Sequence, residues 1–385
     1  MFSIYHNAKT ERQYSACTGL TKEKFEALAL IFKQHYVPKP VNPISKLPAA
    51  LIDSNEALFF ILYYLKTYPT YQVLGVSFGF SDCTAHDYVE YIKPILKHCL
   101  SLAEALPYRV FKSQEDFDKA FEGVTDLFID GTEVVVQRNA IYEIQQKDFS
   151  GKKKNHTVLF LMICDKNARI VFLGRAFVGS VVDFKAFKEE LGDLYYHEKV
   201  LHVDLGFVGI DKNLKLQEGE NRETTIRVRG NMNIEATDIT HEVVETNTAL
   251  EIQNTGVKNI SDINVSATPS KLPPSGVSNV TNSQSENKTT STIIINIPHK
   301  KKRVKKGEPK FVLSDTQKRE NKILASQRII VEHCIGGTKR NFILRHENRT
   351  KDRQKLDDSM ELCVGLWNFR KGFKNNMPKK PNETA

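Results

Sequence analysis

Between residues 20 and 106 the apolar positions recur every three to four residues, the spacing of helices with one buried face. The run LTKEKFEALALIFKQHY opens at Thr21, a capping residue followed by Lys22-Glu23 in the first turn. Asp53 opens a second run, with Glu56 three positions on in capping-box spacing. A shorter stretch, TYQVLGVSFGFS (70–81), leads to Ser81, which caps DCTAHDYVEYIKPIL. Helix, tight glycine-containing turn and capped helix is the order of a helix-turn-helix. The pattern predicts its first helix at Gln72–Val76, the turn at Gly79 and the recognition helix over 82–93.

From 124 to 204 the period shortens to that of strands. VTDLFID (124–130) is apolar and ends on an acid. HTVLFLMIC and ARIVFLGRAFV flank Asp165-Lys166-Asn167, which predicts a hairpin. VDFKAFKEELG reads as a helix of about three turns with Phe184, Phe187 and Leu191 on one face, and KVLHVDLGFVG (199–209) as another strand ending on an acid. Three strands, a helix and a fourth strand is the opening order of an RNase H-like α/β fold. The expected fold class is therefore α/β: a mixed sheet flanked by helices, preceded by an all-α helix-turn-helix domain. Further on, a helical run from Ser314 to about Leu344 is capped at Ser314 or Asp315, and LCVGLWNF predicts a core-packing helix around Trp367.

Composition changes the picture in one segment. Residues 231–298 contain none of the chain's 22 Phe, 13 Tyr and 1 Trp. Such a stretch cannot bury enough apolar surface to offset its ordering entropy and is expected to be mostly disordered, with STIIINI (291–297) as one strand within it. The formal charge of the 385 residues is +9, unevenly placed: residues 299–385 hold 23 Lys and Arg against 10 Asp and Glu, a net of +13, leaving −4 for residues 1–298. A basic region of this kind favours an anionic polymer as partner. Six cysteines without a CxxC pair fit reduced intracellular thiols. No secretory signal is evident, and the longest apolar run, ALFFILYYL (57–65), is too short to span a bilayer.

Three acids stand out as candidate chemistry. Asp130 follows an apolar strand and precedes Gly131-Thr132; Asp204 ends VLHVD and precedes Leu205-Gly206; Glu332 lies mid-helix in RIIVEHCIGGTKR. A carboxylate at the end of a buried strand is costly unless paired or metal-bound. Two on strand ends and one on a facing helix would form an oxygen-only site of the kind Mg²⁺ accepts. Two such ions about 4 Å apart can clamp both oxygens of a phosphoryl displacement. Each acid alone is more often a cap, turn or ion-pair residue. Asp183 and Asp165 are rivals, with a helix cap and a hairpin turn as their ordinary explanations. Glu320 rivals Glu332 but lacks its surrounding motif.

Five stretches in order, IDGTEVVVQR (129–138), FSGKKKNHTV (149–158), GSVVDF (179–184), VDLGFVGI (203–210) and VEHCIGGTKRNFIL (331–344), resemble the DDE transposases of the insertion-sequence and Harbinger-like group. The resemblance covers about 20–230 and 299–370. It implies an RNase H-like catalytic core in which Asp130, Asp204 and Glu332 bind Mg²⁺ or Mn²⁺ as two ions. In such enzymes a metal-activated water attacks a phosphodiester at the transposon end, and the freed 3′-OH attacks target DNA. Leu205 and Phe207 depart from the family's usual Ser and Tyr beside the second acid. The expected organisation is a helical domain at 1–110 with its helix-turn-helix at about 70–98, the first part of the core at 120–230, the insertion at 231–298, a basic segment and closing helices at 299–370, and a disordered tail at 371–385.

The expected partner is double-stranded DNA, both transposon ends and target, with no membrane and with homo-oligomers assembled on the DNA. Candidate DNA contacts are Lys152, Lys153 and Lys154 between the first core strands; Thr84 and His86, with Asp87, on the recognition segment; Lys300, Lys301, Lys302 and Arg303 in the basic septet; and Lys339 and Arg340 beyond Glu332. Asp82, Asp87 and Glu90 make the recognition segment acidic, with only Lys93 and Lys97 to compensate, and that is poor for approaching phosphates. The location implied is cytoplasmic or nucleoid-associated in a bacterium and nuclear in a eukaryote. Competing readings are a catalytically silent or domesticated DNA-binding relative, and a nuclease without strand transfer.

Overall fold

The computed structural model describes residues 3–39, 50–214, 222–230, 289–301 and 312–372. Most of the 231–298 stretch, Lys302, Arg303 and all but the first two residues of the 371–385 tail lie outside the described residues.

Five helices come first: α1 (Glu11–Thr18), α2 (Lys22–His35), α3 (Ser54–Thr67), α4 (Tyr71–Phe78) and α5 (Asp82–Leu102). The side chains of Thr10, Thr21, Asp53, Thr70 and Ser81 each accept a backbone N–H in the first turn, satisfying donors the helix itself leaves open. Asp53 does so through Asn55 rather than in the expected box with Glu56. Gly79 ends α4 at φ 84°, a left-handed conformation that glycine enters without penalty, and turns the chain into α5. The helix-turn-helix thus lies as expected, with both helices longer than the pattern predicts.

After α6 (Gln114–Ala120) the sheet begins: β1 (Asp126–Val135), α7 (Tyr142–Asp148), β2 (Phe149–Ser150), β3 (Asn155–Cys164), β4 (Ile170–Leu173), β5 (Phe177–Val178), α8 (Asp183–Leu191), β6 (Val200–His202), β7 (Arg222–Gly230) and β8 (Thr289–Ile297). Its order is β2-β3-β1-β6-β8-β7, with β4 and β5 also pairing β3. β1 and β3 are antiparallel, while β1, β6, β8 and β7 are parallel neighbours. This is a mixed RNase H-like sheet, and STIIINI is one of its inner strands.

Two expectations are corrected. β1 does not stop at Asp130 but runs five residues further, because Gly131–Val135 continue to pair with β3. The last long helix ends earlier: α9 (Asp315–Thr338) closes at Lys339, α10 (Phe342–Arg345) is separate, and α11 (Arg353–Lys371) completes the chain. Arg340 therefore does not share a continuous helical face with Glu332.

The helical region and one face of the sheet share a single apolar core, in which Phe60, Leu96, Phe160, Val331 and Cys363 are fully buried. Each such Phe or Leu contributes roughly 1.5–3 kcal/mol. A second cluster, with Ile129, Phe187 and Phe207, fills the opposite face. α11 is wedged in the first core: Asn368 bonds Ala105, Ile170 and its amide, and the Trp367 indole N–H donates to the Ala168 carbonyl (2.9 Å). Trp367 packs flat against Gly337, where a Cβ would sit 1.8 Å from the ring. This contact holds α11 against α9.

Candidate active site

Strand alternation points Leu127 and Ile129 into one core and Phe128 into the other. Asp130 shares the face of Phe128, the face α9 crosses, and its carboxylate meets the Arg328 guanidinium at 3.4 Å. Asp204 follows β6, the parallel neighbour of β1. It caps a short 3₁₀ turn, accepting the Gly206 N–H at 2.6 Å. Asp183 opens α8. One carboxylate oxygen from each of Asp130, Asp183 and Asp204 lies within 4.8 Å of the other two.

Asp183 is the rival acid whose ordinary explanation is a helix cap. The cap position is instead Val182, and Asp183, the first helical residue, makes no capping hydrogen bond. Its carboxylate, with the side chain 12% exposed, reaches over Gly131: a Cβ there would lie 1.8 Å from Asp183 Oδ1. A Cβ on Gly206 would lie 2.7 Å from Asp204 Oδ1. Two glycines thus leave the room that the carboxylates occupy. The sequence signal was the glycine after Asp130 together with GSVVDF; neither tells which acid lies over which glycine.

Two of these acids, Asp130 and Asp183, are held above the ordinary carboxylate range. Burial pushes Asp130 up to about 6; Arg328 opposes this, and Asp204 and Asp183 reinforce it. Burial also raises Asp183, against the pull of the Lys152 ammonium at 3.5 Å. Burial alone would lower Lys152, but Asp183, Asp204 and Asp130 outweigh it and raise its pKa. Arg328 Nε is buried without a hydrogen-bond partner. Lys152 and Arg328 supply positive charge where the carboxylates converge. An all-oxygen donor set cradled by two glycines and approached by two cations suits a hard divalent ion.

Glu332 stands outside this group. Its side chain is exposed, one turn beyond Arg328 on α9. Asp165 is a turn residue, its carboxylate accepting the Asn167 and Arg169 N–H groups at 2.9 and 3.0 Å. Glu320 pairs with His299 at 2.5 Å. A second acidic group, Asp357, Asp358 and Glu361, is tied by Arg109 (2.6 Å) and Lys97 (3.6 and 2.9 Å).

The basic candidates scatter. Lys152, Lys153 and Lys154 form the exposed turn into β3, and Lys152 alone of them is ion-paired to the acid group. Lys300 and Lys301 are exposed beyond β8. Lys339 is spent on structure: its ammonium donates to the Glu133 carbonyl at 2.6 Å, and burial pushes its pKa down to about 8. Arg340 is exposed at the far end of α9. On α5, Thr84 shares a hydrogen bond with the Ser81 cap (2.9 Å), whereas His86 is exposed, its ring 5.1 Å from that of Tyr71.

The model of a family described as DDE superfamily endonuclease matches residues 129–246 and 288–368, together just over half of the chain. A second, described as helix-turn-helix of DDE superfamily endonuclease, matches residues 50–102, which span α3 to α5. Comparison with curated proteins and with solved structures finds no match.

Proposed function

The chain belongs to the DDE superfamily of endonucleases and carries that superfamily's helix-turn-helix, and from this membership we propose that it is a DNA transposase that cuts transposon ends and joins them to target DNA. The observation that carries this reading is the meeting of Asp130, Asp183 and Asp204 oxygens within 4.8 Å at the ends of α8 and β6 and the middle of β1.

In this reading Asp130, Asp183 and Asp204 would hold two Mg²⁺ or Mn²⁺ ions. Asp130 would contribute from the central strand, and Glu332 would be a fourth, outer carboxylate on the α9 face that bears Arg328. The chemistry such ions supply when bound is Lewis-acid polarisation of the attacking oxygen and of the scissile phosphate. The chain's own groups do the rest. Gly131 and Gly206 keep the carboxylates close. Lys152, on an exposed turn and already aimed at Asp183, releases the acids and takes a phosphate oxygen of the substrate. Arg328, held on a rigid helix, fixes the orientation of Asp130. The helix-turn-helix and the lysines of the β2–β3 turn hold the DNA, and copies of the chain pair on it.

The test is nicking and strand transfer of duplex DNA bearing the element's ends, with Mg²⁺ or Mn²⁺. Asp130→Ala, Asp183→Ala and Asp204→Ala each abolish both reactions while retaining DNA binding. Full nicking by Asp130→Ala would refute the assignment, and nicking without joining by the wild type would reduce the proposal to a nuclease.

A further inference from the structure

The recognition segment of α5 is acidic, yet the folded protein surrounds it with cations from elsewhere. Asp87 pairs with Lys39 (3.4 Å) and Glu90 with Lys355 at the start of α11 (2.7 Å). Beside them lies an open cavity of about 460 Å³ between the helix-turn-helix and the 343–359 segment. Its floor includes the first turn of α4, Thr70 to Gln72, the positive end of that helix. Its walls carry Lys93, Arg349, Lys351 and Lys355 against one acid, Glu90. Since Lys355 and Glu90 offset each other, three positive charges remain.

None of those three meets a carboxylate at ion-pair distance among the described residues. The Lys93 ammonium, half-buried, donates to the Ser359 hydroxyl (3.4 Å) and lies over the face of Tyr64 (5.7 Å), and burial lowers its pKa against the pull of Glu90 and Asp358. Arg349 donates to the Tyr68 and Pro69 carbonyls (3.0 and 2.6 Å) and lies 4.0 Å over the Tyr68 ring, so its neutral partners leave its charge intact. Lys351 is exposed at the rim. Partly buried cations held by neutral groups, with no carboxylate in direct contact, are costly, and they mark a place where an anion completes the site.

We propose that this cavity takes a backbone phosphate of the DNA flanking the base pairs that α5 reads, so that the C-terminal segment supplies the charge the recognition helix lacks. The inference rests on the reading of DNA as substrate. A nucleic-acid backbone is favoured because His86, Glu90 and Lys93 lie a turn apart along α5 and all line the cavity. A phosphate seated there is therefore adjacent to the helix that enters the groove. Tyr71 and His86 form an aromatic wall suited to the neighbouring sugar.

The test is the salt dependence of binding of the full chain to a labelled random-sequence duplex, without divalent ions. Lys351→Ala, on the exposed rim, and Lys93→Met, which keeps the apolar stem, should each weaken binding and flatten the slope of log K against log salt by about 0.9, the value of one phosphate contact. Lys119→Ala on α6, which lines no part of the cavity, serves as the control for loss of one positive charge. Lys351→Ala and Lys93→Met slopes equal to that of the control would overturn the proposal, as would a nucleoside monophosphate bound in the cavity while the DNA slope is unaffected by either variant. Unchanged slopes with intact Mg²⁺-dependent nicking would sink only the cavity, whereas flattened slopes without any nicking would sink only the nuclease.

Discussion

Asp130→Asn should stabilise the protein in the absence of divalent ions, by an amount that depends on pH. The Asp130 carboxyl is pushed from its ordinary 3.8 up to about 6 by burial and by Asp204 and Asp183, net of Arg328. A carboxyl whose folded pKa is raised costs nothing below the unfolded value. The cost grows between about pH 4 and 6 and is constant above. Two pKa units correspond to about 3 kcal/mol, since each is 1.36 kcal/mol. The side chain is 16% exposed, so solvent screening takes only a modest part of that. Asparagine removes the charge at nearly constant volume. In EDTA at pH 8 the variant should melt several degrees higher than wild type, and the gap should close toward pH 4. Saturating Mg²⁺ should erase the gap, because an ion at 100 times its Kd adds about 2.7 kcal/mol to a protein that binds it and little to one missing the central ligand. Calorimetric melting at three pH values, with and without Mg²⁺, measures all of this. A variant less stable than wild type at pH 8 in EDTA, or a gap independent of pH, would refute the account of mutual repulsion.

Other outcomes follow from the same contacts. Gly131→Ala places a Cβ 1.8 Å from Asp183 Oδ1 and 3.0 Å from Leu159; calorimetric titration should show weakened Mn²⁺ binding, with a stability loss of about 1–3 kcal/mol from overpacking. Gly337→Ala meets three ring atoms of Trp367 within 2.6 Å, and the indole cannot retreat without losing its bond to Ala168, so the loss in urea unfolding should reach at least the top of that range. Glu190 is pushed up to about 7 by burial, and its Oε2 has no hydrogen-bond partner. Its raised pKa means stability is full below about 4.5 and lost as pH rises through 7, so Glu190→Gln should gain up to about 3 kcal/mol over wild type between pH 5 and 8 in the same measurement.

What could be read from the chain alone divides along a physical line. Caps and apolar period act within a few residues, so Thr21, Ser81 and Ser314 announce their helices, and the Asp165 turn announces its hairpin. β8 was legible as a strand but not as a neighbour of β6, because parallel pairing between segments some ninety residues apart leaves no local trace. The break between α9 and α10 falls where Gly336, Gly337, Thr338 and Asn341, all weak helix formers, cluster, a signal that the apolar period on either side masks; Asn341 donates back to the Thr338 carbonyl at 3.2 Å. The same distinction separates the acids. Asp130 and Asp204 end apolar runs, and that placement is unusual enough to notice. Asp183 opens a helix, the commonest place for an aspartate, so its local context argued for a cap it does not form. Glu332 sits in a family-like motif, yet its side chain lies outside the converging group, since residues along a helix inherit the helix's path and not the strand ends'. The charge on α5 makes the point most clearly. Judged by its own residues the segment repels phosphate, while Lys39 and Lys355, one before and one far after it in the chain, neutralise two of its acids. An electrostatic argument about DNA binding therefore has to be made on the folded surface, where charges from distant segments are summed, and there the balance beside α5 is positive.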